Sequence, residues 1–337
     1  MSSPTPPKAQ TGPLHYPPVV LEVDDDGANE TYATDDESTL TSSVTSSIRA
    51  YRHENGRTYH AYKDGRYLIP NDEIENDRLD FQHAMFLRTI GGKLHLAPIP
   101  GDVQNVLDVG TGTGIWAIEF ADDYPSARVI GTDLSPIQPG MVPPNLQFYI
   151  EDAESEWQYN HKFDYIHGRM MIGSFKDYPR FFKQCFNNLR PGGYIEMQDC
   201  NISFTSDDGT IPPDSAISKW GPLMIQGCAK FGNDMGVTSS YKKLMEDAGF
   251  VDIVEVVHKW PTNTWPKDPE YKELGMWEYT NLMQGLQGFA MAPFTRGLGW
   301  TQAEVEVYLA ELRQELKSKK IHAYSPIHFV YGRRPEN

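Results

Sequence analysis

The chain has few cysteines, no long apolar run and no basic stripe, and each shortage removes a class of function. Cys185, Cys200 and Cys228 are widely spaced, with no CxxC pair among 337 residues. Free buried thiols in a reducing compartment are therefore expected, not a disulfide framework. The ten histidines form no HExxH and no paired Cys/His spacing, so no metal site is expected. No stretch approaches the roughly 18 apolar residues of a membrane span, and the opening MSSPTPPKAQ has no apolar segment of a secretory signal. The expected location is cytoplasmic or nuclear. The formal charge is −16, and the densest basic runs are Lys317 to Lys320 and Arg333-Arg334. Such a surface argues against phosphate-driven binding to nucleic acid.

Acidity is concentrated at one end. Residues 1–47 carry eight acids and one base, Lys8, which is −7 of the total, among Pro, Ser and Thr with few large apolar residues. This segment reads as a disordered acidic tail. The remainder, in a chain that is 39% hydrophobic and 12% aromatic, can bury a substantial core. Residues 48–100 read as an N-terminal lid and substrate segment. Within it, Asn71 or Asp72 caps a helix carrying Ile74, Arg78, Phe81 and Met85 at helical spacing, with Gln82 and Phe86 on an adjacent stripe, and Gly91-Gly92 ends it.

Residues 101–337 alternate strand and helix. Strands are expected at 105–110, 128–133, 146–151, 162–168, 193–199 and 251–260, with a last one from His322 to Tyr331. Helices are expected at 178–189, 240–248 and 302–318, with helical stretches around 214–231 and 269–287. The fold class is therefore α/β: a Rossmann-like, seven-stranded, mostly parallel sheet with helices on both faces. Two insertions, near 203–235 and 265–300, are rich in Trp, Met, Gly and Pro and read as a helical cap, with Trp220, Trp265, Trp277, Met224, Met276, Met283 and Met291 as candidate apolar lining.

The chemistry starts at Asn105 to Asp133, NVLDVGTGTGIWAIEFADDYPSARVIGTD. A strand, a turn with Gly110, Gly112 and Gly114, a helix and a second strand ending in Asp133 make a βαβ unit suited to a ribonucleoside. No Gly-Lys-Ser/Thr is present for a nucleotide triphosphate loop. The spacing is G-x-G-x-G and not the G-x-G-x-x-G of dinucleotide sites, which argues against a dehydrogenase. Asp108 precedes the turn, and an acid there repels phosphate but suits an ammonium or sulfonium group. The implied ligand is S-adenosyl-L-methionine, with Thr111 in the turn and Leu134 beside the ribose acid.

Asp133 ends the second strand, where a carboxylate can accept both ribose hydroxyls or simply serve as a helix N-cap. Asp152 can accept the adenine amine while the Ala153 N–H meets a ring nitrogen; a solvated turn acid is the plain reading. Arg169, after the fourth strand, can bind a carboxylate of cofactor or substrate, or serve as a surface ion pair. His167 is either a general base or a satisfied core histidine, and His83 on the lid helix has the same two readings. Tyr59, Tyr62 and Tyr67 either pack over the cofactor or dock the N-terminal segment.

Asp108 to Gly114, Asp133, Asp152 and the loop Leu189-Arg190-Pro191-Gly192-Gly193 together resemble the class I S-adenosylmethionine-dependent methyltransferases over about residues 105–200. Tyr67-Leu68-Ile69-Pro70-Asn71-Asp72-Glu73, Asp77-Arg78-Leu79-Asp80, the glycine turn with Ile115-Trp116, and His322 to Arg333 resemble the fungal LaeA-like methyltransferases, over nearly everything after the tail. That resemblance implies secondary metabolism, through direct methylation of a metabolite or through a nuclear regulator in a velvet-type complex. The expected activity is O-methylation of a small apolar or aromatic acceptor. The alternatives are a regulatory or protein methyltransferase with protein partners, and a non-catalytic cofactor-binding module.

Overall fold

The computed structural model describes residues 21, 52–54, 57–59 and 68–336. Its centre is a seven-stranded sheet. In chain order the strands are β1 (Asn105–Val109), β2 (Arg128–Asp133), β3 (Leu146–Ile150), β4 (Phe163–Arg169), β5 (Leu189–Cys200), β6 (Val251–Pro261) and β7 (Tyr324–Arg333). They lie side by side as β3-β2-β1-β4-β5-β7-β6. All neighbours are parallel except β7, which runs antiparallel to both β5 and β6. The order reverses between β1 and β4, and the carboxyl ends of those strands open the crevice where such sheets take ligands.

The helices are α1 (Glu73–Thr89), α2 (Ile115–Asp123), α3 (Tyr178–Asn188), α4 (Ala216–Ala229), α5 (Tyr241–Ala248), α6 (Pro269–Ala292) and α7 (Gln302–Lys317). Local chemistry sets their ends. Asp72 accepts the Glu75 N–H at the start of α1, and Gly91 and Gly92, both at positive φ, follow its end. Thr301 and Glu304 form a reciprocal capping box on α7. One face of the sheet packs Val106, Val129 and Tyr165 against Trp116 and Phe120 of α2. The other packs Leu107, Ile166 and Ile195 against α3 and α5. A further cluster joins α4, α6 and α7, and α1 lies against α6.

Three elements differ from the expected ones. β5 begins at Leu189, so Arg190-Pro191-Gly192-Gly193 sits within the strand, where the register beside β4 shifts between Phe163 and Tyr165. The bulge tolerates Pro191 because the extra residues leave the ladder. α6 runs to Ala292 instead of stopping near 287, then continues as a π-helical turn, Pro293–Gly297. That turn touches α4 backbone to backbone: a Cβ on Gly227 would meet the Pro293 carbonyl oxygen at 2.8 Å. The face α1 buries is the expected one at Arg78, Gln82, Met85 and Phe86, but not at its start. Ile74 is 60% exposed, whereas Glu75, Arg78, Gln82 and His83 are buried with Met85 and Phe86.

Candidate functional site

The glycine turn is shaped by backbone first. Gly110, Gly112 and Gly114 all have positive φ, and Gly114 in the left-handed region caps the N-terminus of α2. Side chains are excluded at two of them: a Cβ on Gly110 would collide with Met171 Sδ, and one on Gly114 with the Phe148 ring. Asp133 Oδ2 accepts the Gly112 N–H at 2.8 Å and Oδ1 accepts the Ser135 N–H at 2.8 Å, which fixes the carboxylate at the end of β2. Thr111 donates its hydroxyl to Asp108 Oδ2 at 2.6 Å.

A cleft of about 940 Å³ runs across this edge of the sheet. Its walls bring together Gly110, Gly112, Asp133, Leu134, Asp152, Ala153 and Arg169, which lie far apart in the sequence. Pro70, Asn71, Glu75, Asn76 and Leu79 close it from the side of α1, and Met170, Met171 and Phe175 supply an apolar end. Asp152 is buried, with Oδ1 accepting the Glu154 N–H at 3.0 Å. Glu75, Asn71 and Asn76 were missed as wall residues because an acidic first helical turn reads as ordinary capping.

A smaller cavity opens beside the turn, between Leu79, Gln82 and His83 of α1, residues 110–113 and 115–116, and Asp108, His167, Arg169 and Met170. Its polar groups form a connected set. Asp108 and His167 face each other on neighbouring strands, and His167 Nδ1 lies 2.7 Å from Asp108 Oδ1. Asp108 is 2% exposed, and each of its oxygens holds a hydrogen bond, so the acid supports the turn from below. His167 is fully buried and stacked on Trp116, with ring centroids 3.7 Å apart. Burial lowers its pKa, against the pull of Asp108, so the ring is neutral near pH 7. Nδ1–H donates to Asp108, and Nε2 is left buried with no partner.

His83 is buried as well, and both its ring nitrogens are engaged. Arg169 Nη1 donates to Nδ1 at 2.8 Å, and Nε2 lies 3.0 Å from Glu119 Oε2. Burial and the adjacent guanidinium lower the His83 pKa. Arg169 Nε donates to Gln198 Oε1 at 2.9 Å, and its guanidinium lies 4.5 Å over the Phe86 ring. Burial lowers its pKa only to about 10, so it stays charged. Its remaining nitrogen, Nη2, is buried without a partner. Arg169 lines both cavities and forms no surface ion pair.

Other expected residues lie elsewhere. Tyr67 and Tyr62 fall outside the described residues. Tyr59 is buried under the Arg296 guanidinium, 5.4 Å from its ring, and not on the walls of either cavity. Trp220, Met224 and Met291 pack into the α4–α6–α7 cluster, and the Trp265 indole donates to the Ala323 carbonyl at 2.8 Å. These large side chains are core, as burial of that much apolar surface favours. Trp277 reaches back toward α1, 5.7 Å from Phe81, and Met276 and Met283 are half-buried. Among the described residues no cluster of His, Cys, Asp and Glu could hold a metal, and no helix is long and apolar enough to cross a membrane.

The donor set suits a ribonucleoside bearing a charged amino-acid chain: a fixed carboxylate at the end of β2, a turn stripped of side chains, and a buried guanidinium nitrogen lacking an acceptor. Residues 81–256 match a methyltransferase-domain family model. The chain is 41% identical over 320 residues to the methyltransferase pytC of Aspergillus terreus, covering 95% of this chain and 97% of that one. It is 41% identical over 290 residues to the secondary metabolism regulator LAE1 of Cochliobolus heterostrophus, covering 84% and 94%. To the protein-methionine methyltransferase laeA of Emericella nidulans it is 34% identical over 289 residues, covering 85% and 77%. With that family match and that extent of identity joined to the strand order and the glycine turn, the chain belongs to the fungal LaeA-like class I S-adenosylmethionine-dependent methyltransferases.

Proposed function

We propose that this chain methylates a small apolar or aromatic metabolite of fungal secondary metabolism, most readily on oxygen, using a cofactor laid across the two cavities. S-adenosylmethionine supplies the electrophilic methyl group. Asp133 takes the ribose hydroxyls, Asp152 and the Ala153 N–H take the adenine edge, and Leu134 packs beside them. Gly110 and Gly112 let the backbone approach the ligand. Thr111 and Asp108 hold the turn, and Arg169 takes a carboxylate. The observation that carries this reading is the cleft itself, with Asp133 at one side of the turn and the apolar wall of Met170, Met171 and Phe175 at the other.

Catalysis then rests on positioning. Holding an acceptor oxygen in line with the methyl group is worth effective molarities of ~10⁵ M or more. His83 is committed to Arg169 and Glu119 through both ring nitrogens, so it is not assigned the acceptor's proton; His167 gives Nδ1–H to Asp108 and keeps Nε2 open, so of the two histidines it is the candidate base. Acceptors that ionise by themselves, phenols and carboxylic acids, fit a site of this kind. Incubating the protein and cofactor with phenolic, carboxylic and peptide acceptors, and with an extract of its host, should yield a product heavier by one methylene unit. Cofactor binding without any methylated product from the host extract would sink the small-molecule reading.

A second reading, a regulatory or protein methyltransferase in a velvet-type complex, is favoured by LAE1 and laeA, which are named as a regulator and a protein methyltransferase. The acidic segment 1–47 is the natural contact. Its deletion should then abolish partner capture and leave cofactor affinity intact; undiminished capture would count against this role.

A further inference from the structure

The sheet ends in a long strand with an open side. β6 is bonded to β7, and among the described residues no strand pairs with its other side. The register fixes which of its residues face outward. The Thr262 N–H donates to the Ala323 carbonyl at 3.0 Å, just past the end of the ladder. The next β7 residues that bond elsewhere are Tyr324, which exchanges bonds with Thr205, and Pro326, whose carbonyl accepts the Asn201 N–H at 2.8 Å. They stand opposite Pro261 and Lys259. Bonding alternates along an antiparallel pair, so Glu255, Val257 and Lys259 direct their N–H and C=O groups away from β7, to the open edge.

Such edges are commonly blunted, and here only the ends are. At one end the register shifts between Val251 and Val254, with Asp252 at positive φ. At the other, Pro261 has no N–H to offer. The stretch between carries no such guard. Its lysine, Lys259, is folded back over the Tyr324 ring to Asp207 at 2.5 Å, and its side chain is only 15% exposed. Val256 and Trp260 are buried on one face of the strand, whereas Val257 on the other face is 50% exposed.

The spacing of the outward residues specifies a partner. A second β6, laid antiparallel about a two-fold axis through Val257, sets Val257 against Val257. It also sets Glu255 of each copy against Lys259 of the other, on one face of the joined sheet. Every outward N–H and C=O of the three residues then meets its complement. An axis through Glu255 or Lys259 would oppose like charges directly. Both residues already have partners in their own chain, His328 at 2.7 Å for Glu255 and Asp207 for Lys259. The cross-pairs therefore select the register, and the backbone ladder with the valine contact supplies the attraction.

We propose that the β6 edge is a self-association surface, where two copies of the chain join β6 to β6 about Val257 and continue one sheet into the next. A two-fold contact of this kind consumes the edge of both copies and stops at a dimer. β5 and β7 stand between β6 and β4, so the cofactor cleft stays outside the junction.

Sedimentation velocity on the full chain across the micromolar range should show a reversible monomer–dimer equilibrium. Val257→Lys places two ammonium groups on the axis and should raise the dissociation constant of the dimer about 100-fold or more. Its Tm and its affinity for S-adenosylmethionine should match wild type, because Val257 is half exposed and off the cleft. Val257→Cys reads the register. Paired Cα atoms at that position lie about 5.5 Å apart, within the reach of a disulfide, so mild oxidation should link the copies. Val251→Cys, likewise exposed but at the far end of the strand, should link no more than wild type does. A wild-type chain that stays monomeric overturns the proposal, as does a dimer that Val257→Lys leaves undisturbed. A dimer formed only after deletion of residues 1–47 would give the edge to the chain's own N-terminal segment instead. Equal linking by the two cysteine variants would refute the register about Val257.

Discussion

At the scale of single residues, the three turn glycines are not equivalent. All three hold positive φ, which costs a residue with a side chain about 1–2 kcal/mol by itself. At Gly112 nothing more is added, since a Cβ would sit 3.6 Å from Leu79 Cδ1, an ordinary contact. At Gly114 the Cβ would also drive into the Phe148 ring, which already fills the space over Gly131 at 2.6 Å from that residue's ideal Cβ position. Gly112→Ala should therefore cost about 1–2 kcal/mol, and Gly114→Ala measurably more, because a rigid ring must move as well. Urea denaturation of the two variants decides this, and equal losses would mean that backbone strain alone matters. Asp133→Ala removes the acceptor of the Gly112 and Ser135 N–H groups along with the proposed ribose contact. It should lower cofactor affinity at least about 100-fold, the scale of two lost charge-assisted hydrogen bonds. Calorimetry with S-adenosylmethionine measures it.

Between elements, the informative contact is α1 against α6. Arg78 of α1 pairs with Glu75 at 2.6 Å and donates to Asn281 Oδ1 at 2.7 Å. Asn281 Nδ2 donates to Glu278 Oε2 at 2.8 Å, and Ser325 of β7 donates to Glu278 Oε1 at 2.8 Å. Burial pushes the Glu278 carboxyl up to about 7 from an ordinary 4.5. The folded state thus binds this proton more tightly than the unfolded chain. The resulting stabilisation is full below pH 4.5 and is lost as pH rises through 7. Glu278→Gln should remove that slope, so the variant gains on wild type between pH 5 and pH 8 in Tm, and parallel curves would show that Glu278 does not titrate there.

The same helix shows why some of the site was legible and some was not. Its start, end and length followed from Asp72 and the Gly91-Gly92 pair, because caps act on neighbours in sequence. Its buried face followed only in part from the helical spacing: Arg78, Gln82, Met85 and Phe86 turn inward, but so do Glu75, paired with Arg78, and His83, held by Glu119 and Arg169 from other elements. The glycine turn, Asp133, Asp152 and Arg169 could be placed since strand ends converge on one edge of a parallel sheet. The partners of Arg169 could not: His83 lies 86 positions away in sequence, and Glu119 a further 36 from His83. The Trp and Met residues of the two insertions misled for a different reason. Composition cannot separate a pocket lining from a core, and Trp220, Met224 and Met291 joined the core.

Across the whole molecule, that core makes the region holding α4, α6 and α7 a support for the helix that borders the cleft. Its cluster is closed on itself by Phe294, Leu309 and Leu312. Its polar link to the cofactor side runs through α6, from Asn281 to Arg78 and from there to Glu75 on the wall of the cleft. Ligand bound in the cleft should therefore stabilise α1 and the strand-end loops directly, α6 through that ion network, and the α4–α7 contacts little beyond the global term. For a ligand at a hundredfold excess over its Kd, the global term is about 2.7 kcal/mol. Hydrogen exchange with and without S-adenosylhomocysteine reads the pattern: strong added protection at 70–90, 110–116, 133–138 and 151–154, intermediate in 274–285, and the least in 305–316. Asn281→Leu should cut the intermediate protection and keep the strong one, because it severs the link and leaves the Glu75–Arg78 pair on the cleft wall in place. Uniform protection of all three regions, unchanged by Asn281→Leu, would mean that the ligand acts only by mass action on global unfolding and that α6 is not specifically coupled to the site.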